Sequence, residues 1–174
     1  MMFRPILAIF LLAAAGIAVV ALRRGEVSIS PAAAEQLADS IFVDKSERRL
    51  ELRRDGIVIR AYEIALGGNP IGPKRREGDM RTPEGDYVID RRNPQSAYHL
   101  SLHIDYPRPA DRAASAALGA APGGEIFIHG LPNYWPASTA PKVDWTAGCI
   151  ALDNAEIEEM WRLVPDGTPI SIVP

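Results

Sequence analysis

The sequence predicts a mainly β domain with a few helices, an α+β architecture, behind an apolar N-terminal segment. Three observations carry this. Short runs rich in β-branched and aromatic residues recur from Ile41 onward and alternate with polar residues. Gly- and Pro-containing turn signals separate those runs. Helical signals are confined to three short stretches, near Pro31, over 111–118 and after Asp153.

The apolar segment comes first. Ile6 to Leu22 carries no charge and is flanked by Arg4 and by Arg23–Arg24. A buried core helix would show polar residues on one face, and this run shows none. Residues 1–24 are therefore expected to be a membrane anchor or an export signal. A single anchor is the favoured reading, with the rest of the chain outside the cytoplasm. Residues 25–40 are expected to be a linker ending in a short helix, with Ser30 as N-cap and Pro31 as first helical residue.

Residues 41–174 then form one domain. Ile41-Phe42-Val43, the alternating Leu50 and Leu52, and Ile57 to Leu66 read as three strands of an antiparallel meander. Asp55-Gly56 is the second turn. Gly67–Arg81, with four glycines and two prolines, is a long loop of the kind that is often functional. Thr82-Pro83-Glu84-Gly85 fits a type I turn before a strand at Tyr87-Val88-Ile89. From Tyr98 to Tyr106 the chain alternates. Tyr98, Leu100, Leu102, Ile104 and Tyr106 share an apolar face, and His99, Ser101, His103 and Asp105 a polar one. Asp111 to Leu118 is an Ala-rich helix stopped by Gly119. Glu125–His129 is a short strand, and Leu131 to Trp145 a second long loop. Asp153 and Glu156 make a capping box for a helix whose buried stripe is Ile157, Met160, Trp161 and Val164. Pro169 to Val173 is a last strand.

Composition narrows the function. The 174 residues are 47% hydrophobic and 24% charged, which is globular. With 19 basic and 22 acidic residues the net charge is −3, so no broad basic surface invites nucleic acid. Residues 1–24 hold three of the basic residues and no acid, so the remainder carries −6 and would not cling to anionic lipid. One cysteine, Cys149, rules out an intramolecular disulfide framework and a zinc site built on several cysteines.

That lone cysteine is the first candidate for chemistry. By default it is a small buried hydrophobe. In an exported chain, an accessible thiol risks oxidation and needs a reason to persist. It follows Gly148 and precedes a capped helix, so the amides of Ala147, Gly148 and Cys149 are candidates to line an oxyanion-binding concavity. His129 ends a strand at the mouth of the loop that returns the chain to Cys149. It is the candidate base, and a thiolate–imidazolium pair is the ionised state to test. No acid is placed to orient the imidazole, which leaves a backbone carbonyl for that task.

Ile128-His129-Gly130 and, sixteen positions after Gly130, Thr146-Ala147-Gly148-Cys149-Ile150 resemble the signature of L,D-transpeptidases with a YkuD-type catalytic domain. Thr82-Pro83-Glu84-Gly85 and the β-rich start at Ile41 agree with it. The resemblance covers about residues 40–173. It implies the family's β-sandwich or barrel, Cys149 as nucleophile, His129 as base, and the Gly130 carbonyl completing the triad. It assigns Thr146, Ala147 and Gly148 to the substrate and oxyanion region. It implies that peptidoglycan stem peptides are the partner, with no metal and no other cofactor. The thiolate would attack the carbonyl at the L-centre of diaminopimelate, D-Ala would leave, and an amine would resolve the thioester. The setting would be the inner membrane of a bacterium, with the domain in the periplasm. The arginine that the family usually carries two residues after the cysteine is Ala151 here. That resembles divergent subgroups that hydrolyse, or that detach a wall-linked lipoprotein.

The remaining candidates are His103, as a cleft-lining residue, and Tyr106, as an extra oxyanion donor against a plain core role. A metal on His99 and His103 is disfavoured, because four residues along a strand separate them by roughly 13 Å. Tyr134, Trp135 and Trp145 form either a substrate wall or the packing of their own loop. Arg75, Arg76 and Arg81 are either solvated or face a stem-peptide carboxylate. The rival functions are a hydrolase on the same fold, a non-catalytic wall-binding module with an inert Cys149, and a redox protein that needs a partner's thiol.

Overall fold

The computed structural model describes residues 36–135, 141 and 143–174. The expected anchor at 1–24 and the helix start at Ser30-Pro31 lie outside the described residues. Among the described residues, no helix is long and apolar enough to cross a membrane.

The three-strand meander is present. β1 (Ser40–Asp44), β2 (Arg49–Arg54) and β3 (Ile57–Glu63) pair antiparallel in sequence. Asp44 caps the first turn by accepting from Ser46 and from the Glu47 amide. At the second turn Asp55 and Gly56 both have positive φ, 51° and 76°, which is what a tight two-residue hairpin needs. Alternation puts Ile41, Val43, Leu50 and Leu52 inside. Burying each such side chain stabilises by about 1.5–3 kcal/mol.

The rest of the sheet is assembled from distant segments. The strands are ordered β3-β2-β1-β8-β4-β5-β6-β7. β8 (Pro169–Val173) lies between β1, to which it is parallel, and β4 (Gly85–Ser96), to which it is antiparallel. β4 is the hinge of the curl. Its first residues pair with β8, and its later ones with β5 (His99–Ile104), with a register shift between Ile89 and Arg91. β6 (Ile126–His129) pairs antiparallel with β5, and the two-residue β7 (Ile150–Ala151) parallel with β6. The curl then meets itself. Ala65, just past β3, bridges Ala151 through reciprocal backbone bonds of 3.0 and 2.8 Å. The Thr146 amide donates to Leu66 at 3.1 Å, and the Gly68 amide to Thr146 at 3.0 Å.

α1 (Pro109–Ala116) follows β5, and α2 (Asn154–Leu163) follows β7. The capping box at Asp153 and Glu156 forms, and Ile157, Met160 and Leu163 are buried with Val164. Trp161 is only partly buried, with the Arg92 guanidinium 5.1 Å over its ring.

Two expectations change. Thr82–Glu84 makes no turn. Thr82 is wholly buried beneath the seam, where its Oγ1 accepts from the Gly67 amide, and the chain runs directly into β4 at Gly85. The polar face of 99–105, expected to be solvated or cleft-lining, is buried at Ser101 and His103 and only partly exposed at His99 and Asp105. Ser101 and His103 are 3% and 6% exposed, since the His103 ring packs edge-on against Phe127 and Ser101 faces a cavity.

The capping box gives a direct test. Asp153→Ala is expected to lower the unfolding free energy by about 1 kcal/mol in urea denaturation. An unchanged midpoint would show that the helix start is held by other groups.

Candidate active site

β6 and β7 place the two candidate side chains, Cys149 and His129. Residues two apart on a strand share a face, so Phe127 and His129 point the same way. β7 runs parallel beside them, with Ile150 opposite Ile128 and Ala151 opposite His129. Cys149, one step before Ile150, therefore arrives beside Phe127 on the face that carries His129. Its Sγ accepts from the Phe127 amide at 3.4 Å, and the thiol donates to the Glu125 carbonyl at 3.6 Å.

Both side chains border a cavity of about 620 Å³, shared with Tyr98, Phe127, Trp135 and Trp145. Cys149 also borders a smaller cavity of about 200 Å³ on another flank, lined by Lys74, Glu77, Gly78, Gly123 and Glu125. Trp135 and Trp145 pack together with ring centres 5.0 Å apart, and Trp145 meets the His129 ring edge-on at 5.7 Å. These tryptophans are thus both cavity wall and loop packing. Tyr134 lines the same cavity while remaining 83% exposed.

His129 is 4% exposed. Its Nδ1 lies 2.7 Å from the Gly130 carbonyl oxygen. A carbonyl only accepts, so Nδ1 carries a proton, and in the neutral ring Nε2 keeps its lone pair. Burial pushes the imidazole below its ordinary value near 6.5, which the Gly130 carbonyl partly offsets. Burial pushes the Cys149 thiol above its ordinary 9.0, offset in part by the Phe127 amide and by Lys74. Both shifts favour a neutral thiol beside a neutral imidazole, and the thiolate–imidazolium pair is disfavoured at rest.

The glycines are dictated by close approach. A Cβ on Gly130 would lie 2.6 Å from Asn154 Oδ1. Gly148 has φ +134°, and a Cβ there would lie 2.7 Å from the Arg81 carbonyl. Thr146 ties this turn together. Its Oγ1 accepts the Gly148 amide at 3.1 Å and donates to the Cys149 carbonyl at 2.7 Å. The Gly148 amide is therefore committed within the turn and is not available to an oxyanion. Those of Ala147 and Cys149 donate to no acceptor among the described residues.

Two expected site residues lie elsewhere. His103 sits behind Phe127, with ring centres 4.9 Å apart and its Nδ1 2.6 Å from Asp90. It lines neither cavity beside Cys149. Tyr106 is a core aromatic, 6.0 Å edge-on from Tyr87, and its hydroxyl donates to the Pro122 carbonyl. Tyr98 is the residue that alternation concealed. It reads as one more apolar-face position, yet its ring lies 4.5 Å from that of His129. Asp144 is another. It takes a bidentate contact from Arg48 and the Leu66 amide, and no local signal announces a partner so distant in sequence. Among the described residues, no cluster of three or more His, Cys, Asp or Glu could hold a metal.

Two predictions follow from this geometry. With the thiol raised and the imidazole lowered, alkylation of Cys149 by iodoacetamide should climb about tenfold per pH unit, without levelling off until above pH 9. A plateau near neutral pH would instead reveal a standing ion pair. Thr146→Val should lower stability by about 1–3 kcal/mol, because it strands the Gly148 amide, while Thr146→Ser should restore most of it. Equal stabilities in denaturant would remove Thr146 from this role.

Comparison with known proteins identifies the family. The YkuD model, described as the L,D-transpeptidase catalytic domain, matches residues 38–172. YafK of Escherichia coli K12, named as an L,D-transpeptidase, is 30% identical over 131 residues, covering 71% of this chain and 46% of its own. YkuD of Bacillus licheniformis, named likewise, is 29% identical over 139 residues, or 77% and 65% of the two chains. The chain thus spans about half the length of YafK. Among solved structures, the helical cell shape determining protein Pgp2 from Campylobacter jejuni matches with a TM-score of 0.57 at 29% identity, over 76% of this chain and 46% of that one. With the fold, the His-Gly and Thr-x-Gly-Cys segments and the match over 38–172 in agreement, this chain belongs to the YkuD family of L,D-transpeptidase catalytic domains.

Proposed function

We propose that the chain is a cysteine-dependent L,D-transpeptidase acting on peptidoglycan stem peptides. The observation that carries this reading is that His129, its Nδ1 2.7 Å from the Gly130 carbonyl oxygen, shares a cavity with Cys149, which leaves Nε2 of the neutral ring as the base. His129 Nε2 takes the thiol proton as Sγ attacks the carbonyl at the L-centre of diaminopimelate in a tetrapeptide stem. The Ala147 and Cys149 amides donate to the oxyanion that forms. The intermediate collapses to a thioester, and His129 returns the proton to the departing amine of D-Ala. An amine of a second stem then attacks the thioester, gives its proton to His129 and releases the thiol. The product is a cross-link between the third residues of two stems. With residues 1–24 as an anchor, the domain works from the outer side of the inner membrane.

A second reading has water resolve the thioester, which makes the chain a hydrolase. The specific observation in its favour is Ala151. It is fully buried and hydrogen-bonded into the seam, so the arginine that the family usually carries there has no counterpart at that position.

The test is intact-mass spectrometry of the full chain mixed with a disaccharide-tetrapeptide. The expected result is a gain equal to the muropeptide less D-Ala, absent from Cys149→Ala. His129→Gln should form the same adduct at least about 100-fold more slowly. Dimeric muropeptide identifies a transferase, and tripeptide alone a hydrolase. No adduct and no product would overturn both readings for the tetrapeptide and leave another wall substrate or a non-catalytic wall-binding module.

A further inference from the structure

The Gly67–Arg81 loop is organised around one carboxylate. Asp79 accepts the amides of Arg75, Arg76 and Arg81 at 2.7, 3.0 and 3.1 Å, and pairs with the buried Lys74 at 2.9 Å. Burial alone would raise its pKa, but these donors outweigh that and hold it at about 2. The acid is thus saturated by backbone amides and a lysine, and the three arginine side chains are left without it.

Those side chains, with Asn69, line a cavity of about 520 Å³. Elsewhere in the described chain Arg48, Arg49, Arg53, Arg60, Arg91, Arg92 and Arg108 each hold an acid within 3.0 Å. Arg75, Arg76 and Arg81 hold none among the described residues. The Arg81 guanidinium lies against Gly72, where a Cβ would stand 2.8 Å from its Nη1. Gly78 borders both this cavity and the small one beside Cys149, so the two adjoin. Of the two acids on the small cavity's wall, Glu125 is taken by Arg91 at 3.0 Å.

The chemistry assigns the flanks. The departing amine takes a proton from His129, and the incoming nucleophile gives one back. Both must pass on the side His129 lines, which is the large aromatic cavity. The acyl portion that stays on Cys149 then extends along the other flank, past Gly78. In a peptidoglycan stem that portion carries carboxylates, one at the D-centre of diaminopimelate and one on the glutamyl residue.

We propose that Arg75, Arg76 and Arg81 form the carboxylate-binding subsite for the retained acyl portion of the donor stem. They supply from a loop the positive charge that position 151 does not. The assignment rests on the transferase or hydrolase reading, and its test separates the two.

Binding of a disaccharide-tetrapeptide to full-chain Cys149→Ala is measured by calorimetry, with and without Arg75→Gln, Arg76→Gln and Arg81→Gln together. The triple change should weaken Kd by about tenfold or more, the scale of two lost charge-assisted contacts. Amidating the stem carboxylates should cause the same loss in the arginine form and none in the triple variant. Three lysines in place of the arginines should restore binding to within about threefold. Iodoacetamide alkylation of Cys149 in the otherwise intact triple variant should be unchanged, which checks the fold. A Kd that is indifferent to the triple change, or a loss that is the same for the amidated stem, overturns the subsite. The acyl adduct on unaltered Cys149 reports separately on the reaction. Adduct without arginine-dependent binding removes the subsite alone, and arginine-dependent binding without adduct keeps the subsite and removes the reaction.

Discussion

The structure depends on the seam where the curled sheet meets itself. Ala65 and Ala151 exchange backbone hydrogen bonds, and Leu66 and Gly68 bind both sides of Thr146. Each net contribution is only about 0.5–1.5 kcal/mol. Their consequence is geometric. They fix residues 146–151 against 65–68, with Thr82 packed below and Asp144 held by Arg48 at the edge. Without that closure the two-residue β7, and Cys149 just before it, would be held by β6 alone.

Burial by this scaffold sets the electrostatics. A fully solvated Cys–His pair would titrate near ordinary values. Here each partner is pushed toward its uncharged form, and the Gly130 carbonyl selects the tautomer that leaves Nε2 as base. In the reaction proposed above, such a thiol becomes nucleophilic as its proton moves in the attacking step. Tyr98 and Trp145 flank the imidazole. The loop arginines stand apart from it, beyond Gly78, where charge remains solvated and available.

Much of this was legible in the sequence because it is local. Leu50 and Leu52 alternate, Asp55-Gly56 makes its tight turn, and Asp153 with Glu156 caps its helix, all from signals a few residues long. Spacing and family resemblance singled out Cys149 and His129, and the structure sets both on one cavity. What escaped is non-local. Nothing within Pro169–Val173 says that it inserts between β1 and β4. Nothing near Asp144 says that its partner is Arg48. The turn chemistry of 82–85 is genuine locally, yet the buried Thr82 overrides it. The alternation of 98–106 is also genuine, but it cannot report that His103 packs against Phe127 or that Ser101 faces a cavity instead of open solvent. Tyr98 was hidden by the same limit, since period and propensity cannot see a ring stacked on a distant histidine.

The central claim is a buried, neutral His129 held with its proton on Nδ1. Nitrogen-15 NMR of the histidine ring in the full chain tests it most directly. The account predicts a neutral imidazole at pH 7 with Nδ1 protonated and Nε2 bare, and titration only below the ordinary 6.5. An imidazolium signal at pH 7, or the proton on Nε2, would contradict it.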